Sequence, residues 1–331
     1  MTPQTSPFQS SARAPSMFAM SRLRDPWVRG AVFALFAVIV LVMTTRVSPP
    51  TSLQSERPAT ELAKTLDRYT AAEAQHYAWL SRKIASAYVP LVERIAAPEG
   101  FTRVKVASRG FAEWLRHLPV MPPDTPVTSG KRKVILKADA PSLAAVIALQ
   151  PTNDRALAGA NMLTRLRAEY RWTAKQLDDL GFHFTSGHLS TWKGWASGER
   201  PSVKGREVTF AKQFDPDPSR ANFCSYLETI FQYGTCYSLL DDTTAAADGS
   251  IAPGDIFLRT GKKPTTIIVL DACTGPNGEL CILLGEAGVP AQSFHVLKGS
   301  DGSPWFPVRQ KSDITLSGNR ALKLSELRRW K

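Results

Sequence analysis

The fold is decided by the stretch DPDPSRANFCSYLETIFQYG (residues 215–234) and the four apolar segments that follow it. Those segments are GDIFLRT (254–260), TTIIVLDAC (265–273), ELCILLGEA (279–287) and QSFHVLK (292–298). The first stretch predicts a helix, with Asp217 placed to cap it, Pro218 at the first helical position and Gly234 just past its end. The four segments are separated by turn residues and predict strands. A helix followed by an antiparallel meander predicts an α+β fold.

The chain upstream of residue 215 combines further helices and strands. Apolar residues at every third or fourth position predict a helix from about Ala59 to Ala96, which is either a stalk or the first helix of the domain. Periodicity and the Gly and Pro residues at the boundaries indicate the other elements. We predict strands over 100–106 and 131–138, and helices over 109–120, 140–150 and 153–172.

An uncharged apolar run lies near the N-terminus. Between Arg29 and Arg46 stand 16 residues without a charge, whereas a membrane span needs about 20 apolar residues. Trp27 can sit at the interface and the flanking arginines can snorkel, so the run can still span. Four arginines precede the run and only Arg46 closely follows it, which predicts a cytoplasmic N-terminus. A cleaved signal peptide is the alternative, and it also exports the remainder of the chain.

These features divide the chain into four predicted parts. Residues 1–29 are a disordered cytoplasmic tail, and residues 30–46 are a single transmembrane anchor. Residues 47–96 are a tether and helical stalk, and residues 97–331 form a soluble domain in the periplasm or outside the cell. The predicted location is therefore a membrane, with the anchor as the contact to it.

The charge balance bears on the partners. With 41 basic and 29 acidic residues the net charge is +12. No zinc-ligand spacing, RNA-binding signature or basic helix is present, so we predict no nucleic-acid partner. A basic exterior also suits anionic envelope polymers or lipid headgroups, which an exported domain would meet.

Three short motifs carry a resemblance to known families. The segments FCSYLETIFQYG (223–234), IAPGDIFLRTG (251–261) and TTIIVLD (265–271) resemble the NlpC/P60 and CHAP cysteine hydrolases. In those families a Cys-Ser pair opens a helix and a Pro-Gly-Asp leads into a strand. The resemblance implies a half-barrel in which that helix packs on an antiparallel sheet.

A second resemblance covers most of the chain. The segments PEGFTRV, GFAEWLRHLPV, MLTRLRAEYRW, VPAQSFHVLKG and SPWF look like the DUF4846 family of bacterial envelope proteins. With the pattern of Trp195, Gly198 and Arg200, this resemblance extends from about Ala97 to Trp330.

The hydrolase resemblance implies a catalytic set. Cys224 takes the place of the nucleophile, and Glu286 takes the place of the polar residue that orients the base. The base should stand at the start of TTIIVLD, where this chain has Thr265 and Thr266. Threonine does not take up a proton near neutral pH, so the chain departs from the family at the residue that activates the thiol.

A histidine from elsewhere is the remaining source of a base. His295 lies one strand further on, while His183 and His188 lie in a segment rich in aromatic residues and glycine. A replacement base must come within hydrogen-bond reach of the Cys224 sulfur. The alternative for each of the three histidines is a structural role.

The four cysteines are candidates for disulfide bonds, because export permits such bonds. Cys273 and Cys281 lie symmetrically about Asn277, so they face each other if this segment is a hairpin. Cys224 and Cys236 can also pair if the chain reverses after the helix, which would silence Cys224. Free thiols are the alternative. No cysteine-histidine group has zinc-ligand spacing, so we predict neither a metal nor a cofactor.

An aromatic cluster offers a candidate ligand platform. Phe182, Phe184, Trp192 and Trp195, with Arg200, can stack on a sugar or a peptide. The alternative is core and loop packing, which is the more common use of aromatic side chains.

We therefore expect an anchored envelope protein with a non-catalytic or degenerate NlpC/P60-like module that binds or organises an envelope component such as peptidoglycan. The first alternative is an active cysteine amidase or endopeptidase that cuts cell-wall peptides through Cys224. The second is an assembly protein whose pocket is incidental. The sequence leaves open whether the protein is an enzyme.

Overall fold

The computed structural model describes residues 76–80, 87–149, 159–246, 249–309 and 312–331, all within one compact unit, Arg57–Lys331. The predicted tail and anchor, with most of the predicted tether, lie outside these residues. None of the helices in the described part of the chain is long and apolar enough to cross a membrane.

The described domain is built from six α-helices, a 3₁₀ turn (Leu324–Glu326) and short strands. The helices are α1 (Leu91–Arg94), α2 (Phe111–Arg116), α3 (Ala160–Thr173), α4 (Trp192–Ala196), α5 (Arg220–Tyr233) and α6 (Ser238–Asp242). The strands are β1 (Val89–Pro90), β2 (Thr102–Arg103), β3 (Pro119–Val120), β4 (Val127–Thr128), β5 (Val134–Leu136), β6 (Leu143–Val146), β7 (Gly181–His183), β8 (Leu189–Thr191), β9 (Glu199–Lys204), β10 (Glu207–Lys212), β11 (Thr243–Ala245), β12 (Ile256–Arg259), β13 (Thr265–Thr274), β14 (Leu280–Glu286), β15 (His295–Leu297), β16 (Trp305–Val308), β17 (Ile314–Leu316), β18 (Arg320–Leu322) and β19 (Leu327–Trp330).

A nine-stranded antiparallel sheet organises the domain. Its strand order is β11-β19-β12-β13-β14-β15-β6, with β2 paired to β13 and β16 paired to β14. The predicted meander is confirmed, because β12, β13, β14 and β15 follow one another as neighbours. The mixed arrangement of helices and mostly antiparallel strands confirms the α+β class.

The long strand β13 is buried on both faces, which explains its almost continuous apolar sequence. Ile268 and Leu270 join the core beneath the helices, and Ile267 and Val269 join a second core on the opposite face. A β-bulge between Val269 and Asp271 then shifts the alternation by one residue. The strands β17 and β18 contribute to the second core through their own apolar residues.

The helix that packs directly on β13 is α3, together with α2. Helix α5, which contains Cys224, packs mainly on α3 and α4, so it forms an outer layer. This differs from the expectation that the Cys224 helix packs on the sheet. The predicted cap is also wrong, because Ser219 accepts the hydrogen bond from the Asn222 N–H and Asp217 instead binds the Ser219 N–H.

The segment 140–150, predicted as a helix, instead contains strand β6, which pairs with β15. Leu143, Val146 and Ile147 are buried there. A short apolar run that is buried on all sides has no periodicity to separate a helix from a strand, and the β15 edge supplied the pairing partner. The prediction was therefore wrong at this segment.

The predicted helix over 59–96 does not run through the described residues of this segment, 76–80 and 87–96. Tyr77 to Leu80 form a turn, Val89–Pro90 pair with β3, and α1 spans four residues. Pro90 has no N–H to donate and biases the preceding residue towards extended backbone, which interrupts a helix. The buried side chains of Tyr77 and Leu91 belong to the same core as the helices.

Candidate functional site

Cys224 lies in the first turn of α5, and its side chain is exposed. The residues that α5 buries include Phe223, Tyr226 and Leu227, which occupy the side towards α3 and α4. The thiol is therefore accessible to solvent from the outer layer of the domain.

Beside Cys224 lies a buried ion-pair network. The carboxylate of Glu169, on α3, accepts a hydrogen bond from Arg220 Nη2 at 2.7 Å, and Arg165 Nε lies 3.8 Å from the same oxygen. Burial lowers the pKa of the Arg165 guanidinium, an effect that Glu169 opposes. Arg165 also interacts electrostatically with Cys224, which places the thiol beside this network.

Glu286 and His295 are brought together by the sheet, since they are direct partners in β14 and β15. Glu286 Oε1 lies 3.9 Å from His295 Nε2, and Arg320 donates to both carboxylate oxygens at 2.8 Å. His295 Nδ1 lies 3.1 Å from the Ser293 carbonyl oxygen, which can only accept. Burial lowers the pKa of His295, so its imidazole is neutral at neutral pH.

The structure separates this pair from Cys224. Ile282 and Leu284 belong to the core on the face away from the helices, and alternation places Glu286 on that same face. Cys224 lies in the helix layer on the other side of the sheet. Thr265 and Thr266, which stand at the expected position of the base, form the start of β13.

The two histidines of the aromatic segment also have other partners. His183 Nδ1 lies 2.6 Å from Asp242 Oδ1, which also accepts from the His183 N–H. His188 Nδ1 lies 3.1 Å from the Ser186 hydroxyl. These contacts fix the loop between β7 and β8 and bring neither ring to Cys224.

All four cysteines lie in the described part of the chain and are free thiols. Cys273 and Cys281 face each other across β13 and β14, as the hairpin prediction required, but they are not bridged. Burial raises the pKa of Cys273 to about 12, so this thiol stays protonated.

Of the two alternatives for Cys224 and Cys236, the structure has the free thiols and not the disulfide. Cys224 lies near the start of α5, about 14 Å along the helix axis from Tyr233, and Cys236 lies three residues beyond that helix end. Disulfides join Cα atoms less than about 7 Å apart. The chain reverses only after the helix has ended, too far from its first turn.

The candidate ligand platform is packed inside the domain. Trp192 and Trp195 are buried, and Trp195 Nε1 donates to Asn222 Oδ1 at 2.8 Å. Arg200 lies 3.8 Å from the centre of the Trp195 ring and also donates to the Asn222 side chain. The faces that a sugar or peptide would need are thus covered by protein.

The Asp of the Pro-Gly-Asp motif has a structural partner. Asp255 is buried, and both of its carboxylate oxygens accept hydrogen bonds from Arg329, at 2.7 and 2.8 Å. Its Oδ2 also accepts from the Ala252 N–H. The motif therefore attaches the turn before β12 to the C-terminal strand β19. This role is structural and does not depend on catalysis.

A cleft of about 1090 Å³ lies at one end of the sheet. Its walls are the start of α3, the chain just after α5, the β12–β13 turn, the end of β14 and the β17–β18 turn. Glu286 and Cys236 line this cleft, whereas Cys224 does not. Burial raises the pKa of Cys236, which disfavours the reactive thiolate.

The cleft is strongly basic. Five basic residues line it against one acidic residue, Glu286. The basic set is Arg259, Lys262, Lys263, Arg320 and Lys323. A cleft of this charge and size suits an anionic ligand and does not supply a base for a cysteine nucleophile.

The cleft residues were not singled out from the sequence. In the sequence, Lys262 and Lys263 have the pattern of an ordinary charged turn. Arg320 and Lys323 lie about 60 residues further along the chain. They come together only in the folded domain, where the separate β17–β18 hairpin borders the same cleft as the turn between β12 and β13. The sequence feature that points to the cleft is the pair of adjacent lysines between two predicted apolar strands.

Comparison with known proteins adds the family. No curated protein and no solved structure matches the chain. The family described as a domain of unknown function (4846) matches residues 91–329, which is more than half of the chain. This range includes every helix of the described domain and the whole basic cleft. The chain therefore belongs to the DUF4846 family.

Proposed function

We propose that this protein is a membrane-anchored envelope protein whose domain binds or organises a cell-envelope component without cutting it. Residues 30–46 serve as the anchor, the N-terminus is cytoplasmic, and the domain lies in the periplasm or outside the cell. The domain is a degenerate relative of the NlpC/P60 half-barrel, and peptidoglycan is the component that this resemblance suggests.

The observation that carries the proposal is that the candidate hydrolase residues lie apart from one another, whereas the basic residues lie together in one cleft. Cys224 lies in the outer helix layer, while Glu286 and His295 lie across the sheet. Glu286 is paired with Arg320 and lies near His295, on the face of the sheet away from Cys224. The cleft nevertheless offers volume and positive charge.

One observation favours an active cysteine amidase or endopeptidase. Cys224 is an exposed free thiol beside Arg165, so it is accessible to a substrate. That function also needs a base within hydrogen-bond reach, and the three candidate histidines have the partners described above. The binding function requires no such base.

We expect the full-length chain, purified in detergent, to co-sediment with purified peptidoglycan sacculi. Because the cleft is cationic, the bound fraction should fall steeply between about 50 mM and 500 mM salt, as charge screening increases. An unrelated detergent-solubilised protein of similar net charge is the control. Equal sedimentation of this control, or binding that does not respond to salt, would contradict a charge-driven envelope interaction.

A further inference from the structure

We infer that the basic cleft holds a phosphate group of its ligand. This inference rests on the proposed function, because it names the chemistry of the component that the same cleft would bind. It follows from which cations of the cleft already have partners, from the donors around them and from the size of the cavity.

The two arginines of the cleft are already engaged. Arg320 directs both Nη atoms to the Glu286 carboxylate. Arg259 donates to Glu326 at 3.2 Å and to the Thr265 hydroxyl at 2.7 Å. The guanidinium groups, which can bind a carboxylate through two parallel hydrogen bonds, therefore already bind groups of the protein itself.

The three lysines remain available. Lys262 and Lys263 lie on the exposed β12–β13 turn, and Lys323 is exposed after β18. No carboxylate among the described residues forms an ion pair with any of them. An ammonium group is a compact charge with three donors and no preferred plane, which suits the tetrahedral oxygens of a phosphate.

Uncharged groups add to this anionic preference. The 14-residue helix α3 starts in the cleft at Ala160, and its N-cap residue, Gly159, has no side chain that could cap it. Its positive end and its first backbone N–H groups favour an anion placed near them. Gly159 brings the helix start close to β13, since a Cβ there would lie 3.0 Å from Thr266 Oγ1. The start of α3 and the start of β13 therefore border the same space as the lysines.

The size of the cleft indicates that the phosphate is part of a larger molecule. A volume of about 1090 Å³ is at the upper end of small-molecule sites and far exceeds one phosphate ion. The shared chemistry is a phosphate ester, which an envelope supplies either as a polymer or metabolite phosphate or as a lipid headgroup. The experiment below separates these two sources.

The test is calorimetric titration of the full-length protein in neutral detergent. The probes are sn-glycerol 3-phosphate, dihexanoyl-phosphatidylglycerol below its micelle concentration, and acetyl-D-alanyl-D-alanine as the carboxylate comparator. We expect at least one phosphate probe to bind about tenfold more tightly than the carboxylate or better. Binding of the phosphatidylglycerol alone assigns the lipid source, and binding of glycerol 3-phosphate assigns the polymer or metabolite source.

Two triple variants with the same net charge identify the site. The variant Lys262→Ala, Lys263→Ala, Lys323→Ala should weaken phosphate binding at least about tenfold, since it removes three local charges. The matched control Lys133→Ala, Lys204→Ala, Lys212→Ala changes exposed lysines that do not line the cleft, and it should keep the affinity. All six side chains are exposed, so both variants should unfold at the wild-type temperature.

The inference is overturned by equal losses in both variants, by carboxylate binding as tight as phosphate binding, or by no phosphate binding at millimolar concentrations. Its failure is distinguishable from failure of the proposed function. If sacculi are bound equally well by wild type and by the Lys262/Lys263/Lys323 variant, only the phosphate assignment fails. If wild type does not bind sacculi or either phosphate probe, both fail.

Discussion

Replacing Asp271 by alanine is expected to lower the free energy of unfolding by about 3 kcal/mol. Asp271 is buried at the β-bulge of β13 and forms ion pairs with Arg103 and Arg116. Arg116 approaches Oδ1 with Nη2 at 2.6 Å and with Nε at 3.0 Å. Removal of the carboxylate leaves two largely buried guanidinium groups facing each other without a counter-charge, and this cost is larger than that of losing an exposed pair.

The measurement is the thermal unfolding midpoint of the full-length protein. For a domain of this size the loss corresponds to a decrease of about 6 to 12 °C. Asp179→Ala is the matched control, because Asp179 also pairs with an arginine but its side chain is 81% exposed. That control should cost less than about 1 kcal/mol. Equal shifts for the two variants would show that the buried network contributes nothing special.

Replacing Gly198 by alanine is expected to cost about 4 kcal/mol, through steric overlap and backbone strain together. Gly198 follows α4 with a φ of +101°, and a Cβ there would lie 1.9 Å from the Phe214 carbonyl oxygen. Its own carbonyl oxygen accepts hydrogen bonds from the N–H groups of Gln213 and Phe214. The added methyl group would therefore force apart the base of the β9–β10 hairpin, where Arg200 stacks on Trp195.

The β9–β10 hairpin supplies its own control. Gly205 at its turn also has a positive φ, of +63°, but a Cβ there meets no atom within 4 Å. Gly205→Ala should cost only about 1 kcal/mol, which is the strain of the backbone alone. Thermal unfolding followed by tryptophan fluorescence compares the two variants. Similar shifts would mean that the hairpin base can move away from Phe214 without loss.

The sheet could be predicted from the sequence because its strands are sharply marked. β12, β13 and β14 are apolar runs bounded by Pro-Gly, Lys-Lys-Pro and Gly-Pro-Asn-Gly turns, and sequential neighbours usually pair. The same hairpin also predicts that Cys273 and Cys281 lie opposite each other on neighbouring strands. Strand β6 could not be predicted in this way, because its partner β15 lies about 150 residues away in the chain.

The helix layers and the candidate site were less accessible to prediction. Both α3 and α5 are amphipathic helices of 14 residues, and nothing local indicates which of them covers the sheet. A short motif at Cys224 fixes the helix start but not the direction in which the thiol points. The partners of Asp271 are separated from it by 155 and 168 residues, so their meeting depends on the finished fold.

The basic cleft could not be predicted from the sequence either. Its cations come from the β12–β13 turn and from β18, which look like solvated charges when each is considered alone. The hydrolase-like motifs instead contain residues with structural partners, such as Asp255, which is paired with Arg329. A functional proposal for this family therefore depends on the end of the sheet more than on the Cys-Ser pair.

The central claim, a domain that binds the envelope without cutting it, is tested most directly by peptide release from sacculi. Full-length wild-type protein and Cys224→Ser are incubated with purified sacculi, and newly exposed amino groups are measured over time. We expect the same background release for both proteins, while both co-sediment with the sacculi. Release by wild type that disappears in Cys224→Ser would exclude a purely binding role and establish the cysteine hydrolase.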